Sequence, residues 1–433
     1  MRRYRVFFGL GAATALVALS GLFREQAVAF RFGTGDAADV FIAAIQIPVL
    51  VLNVFSSSLG AGMVPFLVSR TVGGAAGGDV EDIGRINAVV YVFVVVVFLV
   101  LGLAATFYAP WIAPGFSAAK AGMLTDVLFV LCLAGILAGI GTYWGILLQA
   151  RNTFARPAAT AAVPPALAGA FCLGFDWGPW APAIGTAAGF AVQAAVLFAF
   201  VSSVGVRVAP RLGVPAHLPL ASQVASAAAA TGLMSGAFVI ANAWAAGLGS
   251  GSVATLGFAN VAITAVVGFG LKVVGGPLLN TYSRLAALQD WAGLIAAVRK
   301  HVSIAWAAGC LIAAALYLLA VPIVSVLFQR GRFSPEHSAE VAGILLLLGI
   351  QLPWHVSGAL VTRALSACQA NGVLIEAATI NLAVLVFLCW LLVDGWGLKG
   401  VAISVSGMYC ASFVYCAFRL RSVVREAVRN GRH

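Results

Sequence analysis

The chain has 433 residues, of which 62% are apolar and 9% charged, with a mean hydropathy of +1.03. A soluble domain carries about 25% charged residues, so a soluble enzyme, a disordered chain and a secreted disulfide scaffold are all excluded. The net charge of +11 would suggest nucleic acid in a soluble protein; here it follows from basic residues gathering in loops that face the cytoplasm.

A transmembrane helix takes about 20 residues. Apolar runs broken by Gly, Pro and charge predict twelve spans, at 6–30, 39–68, 87–108, 122–149, 157–174, 182–205, 220–246, 252–280, 302–327, 339–362, 373–392 and 398–418. The first run, with Ala27-Val-Ala29 near its end, has the outline of a signal peptide. Arg24 and Glu25 just before that site argue for an uncleaved helix.

With the N-terminus inside, cytoplasmic segments hold 18 basic residues, including Arg2, Arg3, Arg5, Arg284, Arg299, Lys300 and the tail from Arg419 to Arg432. External segments hold four: Lys120, Arg330, Arg332 and Lys399. That bias places both termini in the cytoplasm. Loops are short. The longer cytoplasmic connection at 281–301 contains an amphipathic stretch from Trp291 to His301, expected to lie on the membrane surface.

Gly33 and Gly35 precede a span with Pro65 near its end, and Gly247 and Gly249 precede one with Pro277. This faint repeat suggests two six-helix halves, 1–218 and 219–433, the second ending in a short basic tail. Repeated halves with the substrate between them are a usual transporter plan.

Seven cysteines form no CxxC pair and read as small helix residues. There is no P-loop, HExxH or GxSxG motif, so transport would be passive or driven by a gradient or the membrane potential. The five histidines are scattered, and only His355 lies within a span.

A charge near the bilayer centre costs at least ~2.5–3.5 kcal/mol on insertion scales, so charges inside spans carry most of the information. Lys272, among glycines in the eighth span, would either meet an anionic substrate or snorkel to an interface. Arg24 and Arg31 lie seven apart on one helix face, with Glu25 adjacent and Asp39 opening the next span. They form either a cationic wall for phosphate, its arginines oriented by the carboxylates, or an interfacial anchor. Glu376, with Asn371 and Asn381, is either a cation or proton site or an internal polar network.

The run from Phe23 to Pro48 carries Arg24-Glu25, Gly33-Thr-Gly35, Ala37-Ala-Asp39-Val-Phe41 and Pro48. Together with Val64-Pro65, Ala113-Pro-Gly-Phe116 and Leu327-Phe-Gln-Arg-Gly-Arg-Phe333, it resembles the MviN/MurJ-type lipid II flippases of the MOP exporter superfamily. At two positions where that family carries further arginines this chain has Ala18 and Leu52, and Asn260 to Thr264 replaces a charged cluster. Lys272 stands further along the same helix. The family usually has about fourteen helices, the last two forming a tail groove; this sequence provides twelve.

The resemblance implies an all-α polytopic membrane protein with two six-helix lobes around a central cavity. It implies a transporter rather than an enzyme, moving a polyprenyl-pyrophosphate-linked glycan across the bacterial inner membrane by alternating access. The cargo would be lipid II or an exopolysaccharide repeat unit. Arg24, Lys272, Asp39, Arg31 and Glu25 would serve the substrate. No cofactor or metal is expected beyond a coupling monovalent cation or proton at Glu376, Asn371 and Asn381. Glycosyltransferases or a glycan polymerase would be its protein partners. The alternatives are a MATE-like drug or cation antiporter, which would favour acidic cavity residues, and a non-transporting scaffold of a polysaccharide assembly machine.

Overall fold

The structure, a computed structural model, describes residues 2–72, 78–151, 153–206, 208–213, 221–370 and 372–430. All regular structure among them is helical: α1 (Arg2–Phe32), α2 (Asp36–Val72), α3 (Gly78–Leu103), α4 (Ala105–Ile112), α5 (Ala118–Ala150), α6 (Ala155–Thr160) and α7 (Val163–Gly174). There follow α8 (Trp180–Ser203), α9 (Ala221–Ala246), α10 (Ser252–Ala287), α11 (Trp291–Phe328), α12 (Pro335–Gly349), α13 (Leu352–Ala367) and α14 (Gly372–Asn430). A helix satisfies its own backbone groups, which is what a chain dissolved in lipid requires.

The expected spans fall largely on helix, with turns inside them at 104, 161–162 and 350–351. By length and apolarity eight helices among the described residues qualify to cross a membrane, or nine if α12 and α13, bent by 44° at their junction, count as one. The long α14 contains more than one pass. Its Gly397 has φ 53° and ψ −133°, a conformation glycine adopts far more readily than other residues. The Tyr415 hydroxyl reaches Glu376, 39 residues away; an unbroken helix would separate them by about 58 Å. The chain therefore doubles back at Gly397, between the expected spans 373–392 and 398–418.

The stretch from Trp291 to His301 is not a separate surface helix but the first turns of α11. Asp290 caps it by accepting from the Gly293 N–H at 2.8 Å. Its apolar stripe, Leu294 and Val298, is buried with Tyr282, Val361, Leu365, Leu420 and Val424. That burial on protein replaces the expected burial on lipid.

The chain divides into two compact units. One is Met1–Ser235 with Arg330–Phe333, the other Gly236–Gln329 with Ser334–His433. The boundary expected at 218/219 lies outside the described residues. The four-residue return to the first unit is seated on α1: the Arg332 N–H donates to Phe30 O at 2.9 Å. At Gly331 a Cβ would collide with the same carbonyl, so only glycine fits.

Both units pack helices through glycine facing proline. In the first, a Cβ at Gly189 of α8 would collide with Pro164 Cα of α7. In the second, a Cβ at Gly309 of α11 would lie 2.6 Å from Pro353 Cα of α13. Between lipid-facing helices close packing replaces the hydrophobic effect as the source of association, which favours small residues at such crossings. The core of the first unit also holds polar side chains bonded to one another. Tyr143 donates to Asn87 Oδ1 at 2.6 Å, Trp144 Nε1 to the Tyr91 hydroxyl at 2.7 Å, and Tyr91 in turn to Val208 O at 2.9 Å. All seven cysteines are free thiols.

Candidate functional site

The charged residues near the start of the chain are organised by the turn between α1 and α2. Gly33 has φ 59°, and its N–H donates to Ala29 O at 2.8 Å, ending α1. The Asp39 N–H donates to Gly35 O at 3.1 Å, opening α2. Asp36 and Asp39 thus occupy the first turn of α2, where carboxylates complement the helix dipole.

On α1, Arg24 and the buried Glu25 are bonded directly: Nε donates to Glu25 Oε1 at 3.0 Å and Nη2 to the same oxygen. The guanidinium carbon sits 5.9 Å from the Phe41 ring centroid. Glu25 engages only the Nε and Nη2 side of the fork, which leaves Nη1 for a further acceptor. The Arg24 side chain retains 23% exposure. Its backbone is held by α7, where a Cβ at Gly169 would lie 3.3 Å from Arg24 Cα. A fixed, partly accessible guanidinium of this kind suits phosphate.

Arg31 is engaged elsewhere. Its Nη2 lies 3.0 Å from Oδ1 of the exposed Asp176, in the connection after α7.

Asp39 is fully buried, and its partner is a residue that the sequence placed in an external loop. Lys120, in the first turn of α5, brings Nζ to 2.6 Å from Asp39 Oδ2 and 2.7 Å from Asp36 Oδ1. Lys120 is itself 9% exposed, and its ammonium lies 4.1 Å from the Phe116 ring centroid. A cation at a helix N-terminus opposes the dipole. That mismatch, one turn after the cap Ser117, was the available signal that Lys120 needed carboxylate partners.

The side chain of Lys272 lies outside the described residues, as does Asn371. Glu376 has 48% exposure and is bound by the Tyr415 hydroxyl and by Arg419 Nη2 at 3.3 Å. Asn381 is buried, and its Oδ1 has no hydrogen-bond partner. His355 stacks on Tyr409 with centroids 4.0 Å apart. Among the described residues no group of three or more His, Cys, Asp or Glu could hold a metal ion.

Two solved structures define the class. One is a lipid II flippase MurJ in an inward closed conformation, with a TM-score of 0.79 at 18% identity, covering 97% of this chain and 90% of that one. The other is an inward-facing multidrug resistance MATE family transporter of the MOP superfamily, with a TM-score of 0.76 at 13% identity, covering 95% and 96%. The fold is that of these membrane transporters.

The sequence narrows the class to a family. The profile described as "Lipid II flippase MurJ" matches residues 28–428, and the chain belongs to that family, whose members are transporters rather than enzymes. Named relatives are probable lipid II flippases. The one from Rhizobium meliloti (strain 1021) is 28% identical over 82% of this chain and 69% of its own length. That from Synechocystis sp. (strain ATCC 27184 / PCC 6803 / Kazusa) is 24% identical over 92% and 77%.

Proposed function

We propose that this protein carries a polyprenyl-pyrophosphate-linked glycan from the cytoplasmic to the outer leaflet of a bacterial inner membrane. Both termini face the cytoplasm, and transport proceeds by alternating access. Family membership favours lipid II as cargo. An exopolysaccharide repeat unit has the same pyrophosphate and lipid and differs in its sugars. Ala18 and Leu52, where related flippases carry arginine, fit that second cargo.

The observation that carries the reading is the Arg24–Glu25–Phe41 arrangement. A pyrophosphate entering a low-dielectric site loses its hydration and needs fixed donors. Arg24 supplies them on a rigid mount, its Nε side already held by Glu25. Lys272, in the second unit, is a further candidate cation for the cargo. Glu25 orients Arg24, while Arg31 contributes to the outer field around the same helix end. Asp39 acts from within the helix packing. A monovalent cation or proton taken up at Asn381, with Asn371 and Glu376, would couple the cycle to a gradient, and the membrane potential would favour outward movement of the anionic cargo.

The decisive experiment is mass spectrometry of lipid-linked glycans after removal of the gene in its own host. One polyprenyl-pyrophosphate species should accumulate and will identify the cargo; an unchanged pool favours the antiporter or scaffold. Arg24→Ala should abolish complementation while the protein remains folded in the membrane, and Arg24→Lys should restore little, because an ammonium lacks the planar fork. Full activity in Arg24→Ala would remove this site assignment.

A further inference from the structure

The ammonium of Lys120 is a tethered cation. It has two carboxylate oxygens at 2.6 and 2.7 Å and an aromatic face at 4.1 Å, the surroundings a small free ammonium ion would find favourable. One carboxylate, Asp39, is fully buried, while Asp36 is 65% exposed, so the cluster meets water at Asp36. It joins the first turn of α2 to the first turn of α5, two helices packed along one another within the first unit. An ion pair inside a rigid interface fixes register.

The residue whose register matters is Phe41. It lies two positions beyond Asp39 on α2, is fully buried, and forms the wall under the Arg24 guanidinium. We propose that Lys120 is a positioning residue for transport, acting through Asp39 and the first turn of α2 on Phe41 and so on the aim of Arg24. This rests on the flippase reading above. Lys120 does not touch the cargo; it determines how well Arg24 meets it.

The test uses the full chain in liposomes with dye-labelled lipid II as the transported probe. Lys120→Ala should raise the half-saturating probe concentration about tenfold, a factor equal to about 1.4 kcal/mol, and leave the maximal rate within about twofold. Propylammonium, which matches the three carbons and ammonium that Lys120→Ala removes, should bring the half-saturating concentration back toward wild type in Lys120→Ala. It should have no such effect in wild type or in the double variant Lys120→Ala, Asp39→Asn. Melting of the same proteins in detergent, without probe, reads the cation site alone: propylammonium should raise the melting temperature of Lys120→Ala and not of the double variant.

Unchanged half-saturation in folded Lys120→Ala overturns the positioning role. Absence of propylammonium rescue in both readouts overturns the tethered-cation account. A wild-type chain that does not move lipid II, while melting rescue is intact, overturns the cargo reading and the transport role together and leaves the failure assigned to cargo rather than to the ion cluster. If Lys120→Ala does not fold, Lys120→Arg keeps the charge with altered reach. It should shift half-saturation in the same direction, and a wild-type value there counts against the role.

Discussion

The start of α2 in the first unit and the hairpin of α14 in the second each hold a carboxylate against a basic side chain, with opposite consequences. Asp39 has no exposure, and Lys120 closes on it at 2.6 Å. Glu376 keeps 48% exposure and meets a half-exposed Arg419 at 3.3 Å. The first pair is buried on the Asp39 side, and its ammonium is shared with the exposed Asp36 at 2.7 Å. The second can trade its partner for water. Similar residue chemistry thus carries a structural commitment in one place and a weak contact in the other, and depth decides which.

The comparison can be broken most directly at Asp39. Asp39→Asn takes the charge from one of the two carboxylates on Lys120 and leaves Asp36 at 2.7 Å, so it should cost about 1–3 kcal/mol, read as a lower melting temperature in detergent. Replacing Lys120 with Met as well should recover part of that loss, since the two residues are directly coupled. A double variant that melts where additivity predicts would show the pair to be energetically independent.

A packing change tests how closely the helices of each unit are packed. Gly189→Ala, which forces a methyl against Pro164, should cost about 1–3 kcal/mol, and Gly309→Ala in the second unit should cost a similar amount by the same measurement. A smaller effect is expected at the cap of α5. Ser117 accepts from the Lys120 N–H at 3.4 Å, and Ser117→Ala should cost about 1 kcal/mol or less. Glu376→Gln closes the series. An exposed pair contributes about 0–1 kcal/mol, so its melting temperature should stay near wild type, and raising the salt concentration should change it little. A loss at Glu376 as large as that at Asp39 would erase the distinction between the two regions.

Much of this was legible in the residues. Hydropathy located the long apolar helices, eight or nine of which among the described residues qualify to cross a membrane against the twelve spans expected. The Arg24–Glu25 adjacency and the Gly33-Thr-Gly35 turn also stood in plain sight, being local in sequence. What escaped were partners distant along the chain. Lys120 is 81 residues from Asp39, and a lone lysine beside a loop looks like any other external charge. The bonds from Tyr143 to Asn87 and from Trp144 to Tyr91 were hidden for the same reason, spanning 56 and 53 residues. At Trp291 to His301 the period is that of an amphipathic helix. Its apolar stripe found protein rather than lipid, and an amphipathic pattern is the same for both.

The brief return of Arg330–Phe333 to the first unit has a consequence for how the molecule is made. Chains are synthesised from the N-terminus, and domains generally fold as they emerge. Here the last piece of the first unit, Gly331 seated on the Phe30 carbonyl, emerges only after α9, α10 and α11 have been translated. The first half of the gene therefore encodes an unfinished body, and its assembly waits on the ribosome reaching the second half.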